Sequence, residues 1–270
     1  MSTYAMGERF IPSLPGWSEE ARGMFYNNYK WASSYTRDMI VLDCACGSGY
    51  GTDIIASNCA FVVGADVDAS ILNYARENYR SEKTRFECFS ITAIPYPDDY
   101  FDVAVSFDTI EHVRDDYKVL PELKRVTKEN GYIIISTPLR NFRKERGEEG
   151  IFDHTHIREY SAYEWLHMLS VHFKEAEFFT RDSSFEFHQV HLAEYKGSPF
   201  DIAFAKLLNS HETHTPSTIE KFKHAHCLQL CDRIKSLELM SSQPSKPPKA
   251  HNCRTMLVRL RQRLTKTCAE

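Results

Sequence analysis

The 270-residue sequence predicts an α/β fold, a doubly wound and mostly parallel sheet with helices on both faces. Three features carry this expectation. Short Val-, Ile- and Phe-rich runs alternate with helical stretches, a glycine-rich loop follows the first run directly, and an acidic residue closes the second.

The first five strands are read at residues 39–44, 61–66, 85–89, 101–107 and 132–136, each short and apolar enough to be buried on both faces. Residues 69–79 and 117–127 read as helices, the second closed by Asn130-Gly131 as a C-cap signal. Asp98-Asp99 turns the chain into the fourth strand. Beyond Pro138 the charged stretch 140–150 reads as a surface loop, Ser161 as the N-cap of a helix through Leu169, and 173–180 with 185–192 as a hairpin that completes a seven-stranded sheet.

Residues 1–196 therefore read as one domain with a lid loop at 139–160. Residues 197–270 read as a helical, basic extension with a Ser/Pro-rich linker at 241–248. Within it, 254–266 has the pattern of a basic amphipathic helix with Leu257, Leu260 and Leu264 on one face. Docking on its own domain or on a second subunit is preferred to a membrane-surface role. His224, His226, Cys227 and Cys231 lack a recognised zinc spacing and read as packing and solvent-facing residues.

Bulk properties narrow the function classes. With 42% hydrophobic and 26% charged residues the composition is that of an ordinary globular protein, and a net charge of −4 disfavours nucleic acid as a partner. The first residues have no apolar run behind a positive segment, and no run of about 18 apolar residues could span a bilayer. A cytoplasmic protein is expected, with Cys44, Cys46, Cys59 and Cys88 as reduced, mostly buried thiols.

The loop Asp43-Cys-Ala45-Cys46-Gly47-Ser-Gly49-Tyr-Gly51-Thr52 lies where open α/β sheets bind nucleotides. A dinucleotide loop would carry a third glycine at position 52, where this chain has Thr. A carboxylate at Asp43 opposes a pyrophosphate and suits a ligand with an amino group and a sulfonium, such as S-adenosylmethionine. Asp66, at the end of the second strand, can accept both ribose hydroxyls, a role that NAD sites share.

Val-Leu-Asp43-x-x-x-Gly47-x-Gly49-x-Gly51, Gly64-Ala-Asp66 and the segment Ile94-Pro-Tyr-Pro-Asp-Asp-Tyr-Phe-Asp102 resemble class I S-adenosylmethionine-dependent methyltransferases. Gly7-Glu-Arg-Phe10, Ser106-Phe-Asp-Thr-Ile-Glu-His112 and Ile135-Ser-Thr-Pro138 resemble, more narrowly, bacterial methyltransferases of O-antigen and capsule biosynthesis. The resemblance covers roughly residues 7–190. It implies a Rossmann-like fold, S-adenosylmethionine as cofactor, and a cofactor site at Asp43, Ala45, Cys46, Gly47, Gly49, Thr52, Asp66, Val67, Ser90, Ile91 and Phe107. Asp43 and the glycine backbone would hold the methionine end, Asp66 the ribose, and Val67 would pack on adenine. Where many members carry Asp after the third strand this chain has Ser90, which can still accept a hydrogen bond.

A hydroxyl acceptor must lose a proton, so a base is needed near the methyl group. His112 is the candidate, oriented by Asp108 or Glu111, with Asp108 and His112 at i, i+4 on one face if a helix starts there. Asp153-His154-Thr-His156-Ile-Arg158 resembles the segment that closes over the acceptor in sugar-modifying relatives. His156 is taken as a further catalytic candidate, and Asp153, His154 and Arg158 as acceptor ligands. Arg9, and Tyr26 or Tyr29 on a first helix, could cover the cofactor and meet its carboxylate, and Arg9, Tyr26 and Glu111 are also taken as acceptor ligands. Two histidines with Asp153 and Asp108 could also gather a divalent ion, but sequence fixes no distances and the reading carries no metal.

O-methylation of a sugar hydroxyl, on a nucleotide sugar or a surface glycan, is the function this implies. The rivals are a quinone or natural-product methyltransferase, an NAD-dependent oxidoreductase, and a cofactor-binding scaffold of a glycan assembly complex.

Overall fold

The computed structural model describes residues 10–138, 155–160, 162–173, 175–181, 186–189 and 202–208. Its centre is an eight-stranded sheet in the order β3-β2-β1-β4-β5-β8-β6-β7. The strands are β1 Ile40–Cys44, β2 Phe61–Asp66, β3 Thr84–Cys88, β4 Phe101–Ser106, β5 Thr127–Pro138, β6 Glu175–Arg181, β7 Phe187–Gln189 and β8 Ile202–Leu208. β1 to β5 pair in parallel, while β8 runs antiparallel to β5 and β6, and β7 antiparallel to β6.

The helices are α1 Glu19–Ser33, α2 Tyr50–Ala56, α3 Ala69–Asn78, α4 Val119–Val126 and α5 Ala162–His172. Ser18 starts α1 by accepting from the Ala21 amide, and Asp68 starts α3 by accepting from the Ser70 amide. Alternate strand residues divide the core into two layers. Leu42, Val63, Ala104, Ile133 and Ile135 meet Leu120 and Leu123 of α4 and Trp165 and Leu169 of α5. Val41, Val62, Val103, Val105 and Ile134 meet Tyr29 of α1 and Ile55 of α2 on the opposite side. The doubly wound parallel half is as the sequence predicts.

Three expectations are corrected. The sheet has eight strands among the described residues, not seven, because β8 comes from the segment assigned to a helical extension and inserts between β5 and β6. Asn130-Gly131 does not cap α4, which stops at Thr127. Asn130 takes φ 66° inside β5, where the register with β4 shifts between Phe101 and Val103, so the pair forms a bulge. β3 is an edge strand with exposed positions, which leaves Cys88 exposed although Cys44, Cys46 and Cys59 are buried.

The basic stretch 254–266, the linker 241–248, the segment 224–231 and the hairpin end beyond Gln189 lie outside the described residues, as do Arg9, Asp153 and His154. Among the described residues no helix is long and apolar enough to cross a membrane.

Candidate active site

Register aligns the carboxyl ends of the central strands: Asp43 lies opposite Gly64 and Val105, Asp66 opposite Cys88, and Ser106 opposite Ile135. The strand order reverses between β1 and β4, and the crevice at that edge is where such sheets bind ligands.

On the β1–β2 side the loop wraps around two carboxylates. Gly47 has φ 54° and a built Cβ there would meet nothing within 4 Å, so its backbone borders open space. Its amide donates to Asp66 Oδ2 at 3.1 Å, and the Asp68 amide donates to Oδ1 at 3.0 Å. These are two of the roughly four hydrogen bonds a carboxylate can accept. Just past Asp66, Val67 is 66% exposed, an apolar side chain held out at the strand end. Ser90 Oγ pairs with Thr92 Oγ1 at 2.8 Å, and the Ile91 side chain turns into the core beneath it. Ala45 is held at φ 65°, a conformation that non-glycine residues rarely adopt, between Asp43 and the Cys46 amide, which donates to the Ala65 carbonyl.

Asp43 was expected to meet the ligand's amino group, and the structure buries it completely. Tyr29 Oη donates to Oδ1 at 3.1 Å and Thr52 Oγ1 to Oδ2 at 2.6 Å, so the carboxylate braces α1 and α2 against β1 from within. Burial, the largest cause, pushes Asp43 up to about 7, against the two hydroxyl donors that pull it down. Phe107 packs edge-on against Tyr29 at 5.1 Å. Tyr26, expected to contact acceptor, stands edge-on to Phe10 and Tyr50 in an aromatic layer under α1.

On the β4–β5 side a second cluster forms. The helix expected from Asp108 is a single 3-10 turn, Ile110–His112, preceded by Asp108 at φ 45°. Asp108 accepts from Ser136 Oγ at 2.8 Å, and Glu111 Oε2 accepts from Thr137 Oγ1 at 3.0 Å. The Glu111 carbonyl receives the Ile157 and Arg158 amides at 2.9 and 3.1 Å, which pins residues 155–160 onto the turn. This brings His156 to His112, ring edge to ring face, with centroids 4.8 Å apart. His112 Nδ1 faces the Thr155 carbonyl at 3.3 Å, and His156 Nδ1 faces Glu159 Oε1 at 2.9 Å. Burial and the neighbouring Asp108 push the Glu111 carboxyl well above the usual range.

Arg158, expected to hold an anionic group, instead donates to Asp116 at 2.7 Å, a carboxylate that Tyr160 also reaches. Sequence reading missed Glu159, Thr137 and Ser136. The last two are polar residues directly after the apolar run Tyr132-Ile-Ile-Ile135, a signal available in Ile135-Ser-Thr-Pro138.

Residues 42–135 match the methyltransferase domain family. A Mycolicibacterium smegmatis protein, named a probable S-adenosylmethionine-dependent methyltransferase, is 33% identical over 191 residues, 70% of each chain. The chain belongs to the S-adenosylmethionine-dependent methyltransferases. The methyltransferase is also 27% identical over 105 residues to a Coxiella burnetii ubiquinone biosynthesis O-methyltransferase, covering 38% of this chain and 45% of that relative. A Haloferax volcanii methyltransferase solved in complex with the Trm112 methyltransferase activator superposes with TM-score 0.55 over 73% of this chain and 96% of its own, at 14% identity. That likeness concerns the fold alone.

S-adenosylmethionine is the methyl donor of the family, and the β1–β2 edge suits it. That edge carries open backbone at Gly47, the carboxylate of Asp66 and the projecting apolar Val67.

Proposed function

We propose that this methyltransferase O-methylates a hydroxyl of a polar acceptor, a nucleotide sugar or a growing surface glycan. The observation that carries this reading is the pair of imidazoles, His112 after β4 and His156 on the segment pinned to it, gathered with Glu111 at the carboxyl end of the sheet. Such a cluster has little use for an acceptor nitrogen that already offers a lone pair.

When bound, S-adenosylmethionine supplies a methyl group on a sulfonium. The chain's own residues do the rest. Gly47, Asp66 and Val67 orient the donor, with Ser90 and the Ile91 backbone at the adenine side, whereas Cys46 and Gly49, expected at the cofactor, face Ala75 and Phe86 in the core and support the loop from behind. Asp43 and Thr52 hold the loop's shape from inside. In the chain without metal, His112 donates from Nδ1 to the Thr155 carbonyl, which leaves Nε2 as the atom that takes the hydroxyl proton. His156, steadied by Glu159, stands against the same ring.

A quinone-like phenol is the second reading, favoured by the similarity to the Coxiella burnetii O-methyltransferase. Deuteromethyl donor incubated with nucleotide sugars and with catechols, followed by mass spectrometry, separates the two. Labelled sugar supports the first reading and labelled catechol alone replaces it.

His112→Ala should lower turnover roughly 100-fold or more while leaving S-adenosylhomocysteine affinity unchanged. Single-turnover kinetics beside calorimetry check this. An unchanged rate removes His112 from the chemistry.

A further inference from the structure

We propose that Glu111, His112 and His156 bind one divalent first-row cation, whose open side receives the acceptor's hydroxyl oxygen. The proposal rests on the reading of the acceptor as a hydroxyl and refines how that hydroxyl is activated.

Ligand atoms of the three residues all lie within 4.8 Å of one another. Glu111 Oε1 is 4.0 Å from His112 Nε2, too far for a hydrogen bond, and Oε1 is buried with no hydrogen-bond partner among the described residues. A buried carboxylate oxygen left in this way is costly unless something positive meets it.

The surrounding groups are arranged as metal sites arrange them. Each histidine engages an oxygen through Nδ1, His112 the Thr155 carbonyl and His156 the Glu159 carboxylate, which fixes the tautomer with its lone pair on Nε2. Glu111 is held in the same manner, by Thr137 on its other oxygen. The three residues sit on two backbone segments joined by the bonds from Ile157 and Arg158 to the Glu111 carbonyl, so the backbone already brings the set together.

Bonds of about 2.0–2.2 Å place tetrahedral ligand atoms about 3.3 Å apart, so the widest gap must close by roughly 1.5 Å. His112 is the partly exposed member, with a side chain 35% accessible, and its 3.3 Å contact to Thr155 gives it room to turn. Two imidazoles and one carboxylate suit Zn²⁺, Mn²⁺, Fe²⁺ or Co²⁺ better than Mg²⁺ or Ca²⁺, which prefer all-oxygen shells. Three protein ligands leave positions open. A hydroxyl bound there loses its proton to solvent at a lower pH than in water, and His112 then acts as a ligand instead of receiving that proton.

The test uses the full chain, stripped with a chelator and titrated with Co²⁺ while visible absorption is recorded, beside calorimetry with S-adenosylhomocysteine. One Co²⁺ per chain is expected, with ligand-field bands of a low-coordinate nitrogen/oxygen site. Glu111→Gln and His156→Gln should each weaken Co²⁺ roughly 100-fold, and Glu159→Gln roughly tenfold through the lost bond to His156, all with S-adenosylhomocysteine affinity retained. Absence of Co²⁺ binding, or binding that survives both ligand substitutions, overturns the metal site. If S-adenosylhomocysteine still binds in that case, the donor reading stands alone. If it does not, the donor reading falls as well.

Discussion

Gly51→Ala should cost about 3 kcal/mol or more of stability, because the added methyl has no place to go. A Cβ on Gly51 would fall 2.2–2.4 Å from ring carbons of Tyr29. Tyr29 cannot retreat cheaply, since Tyr50 and Phe107 hold its ring edge-on at 5.2 and 5.1 Å and its hydroxyl is bonded to buried Asp43. Moving it strips a donor from a buried carboxylate, which adds to the overpacking cost. For a domain of this size the melting temperature should fall by roughly 6–12 °C. Gly47→Ala is the informative contrast, since its methyl meets nothing within 4 Å and only the left-handed backbone opposes it. That strain costs about 1 kcal/mol, yet it falls at the ligand edge. Thermal melts should therefore rank Gly51→Ala as the more damaging, and S-adenosylhomocysteine titration should find Gly47→Ala impaired. Equal melting temperatures would mean that Tyr29 does not depend on the absent Cβ.

The second large effect concerns Asp43 and pH. Its carboxyl is pushed from the ordinary 3.8 up to about 7 by burial. Between those values the folded chain holds a proton that the unfolded chain has released, so stability from this group falls as pH rises through that window. The full loss, above about pH 7, is on the order of 4 kcal/mol. Asp43→Asn removes the titration while Thr52 and Tyr29, whose hydroxyls rotate, keep a partner. Urea melts from pH 4 to pH 8 should show the substituted chain gaining on the parent as pH rises. Parallel curves would show that Asp43 is no source of the pH dependence.

Much of this was legible in the sequence, for reasons that differ by element. β1, β2 and β4 are short runs of Val, Ile and Phe between turn residues, and the period leaves little choice. β8 was not legible, since Ile-Ala-Phe-Ala-Lys-Leu-Leu satisfies helix and strand alike and only its pairing with β5 and β6 decides. Asn130-Gly131 has the chemistry of a left-handed position, and sequence cannot tell a helix cap from a bulge. The sequence put Asp66 at the end of β2 and Gly47 in the loop after β1, and the structure bonds the two to each other there. Asp43 was located too, but which way a strand-end carboxylate points depends on Tyr29, fourteen residues upstream in α1. The pairing of His112 with His156 could not be read from the chain, because the backbone bonds that join their segments carry no side-chain signature.

Calorimetric titration with S-adenosylhomocysteine, on the parent chain and on Asp66→Ala, with NAD in parallel, tests the central claim most directly. One S-adenosylhomocysteine per chain should bind the parent, with affinity falling roughly 100-fold or more once the Asp66 carboxylate is lost. Undiminished binding by Asp66→Ala, or binding of NAD in its place, would contradict the site described above.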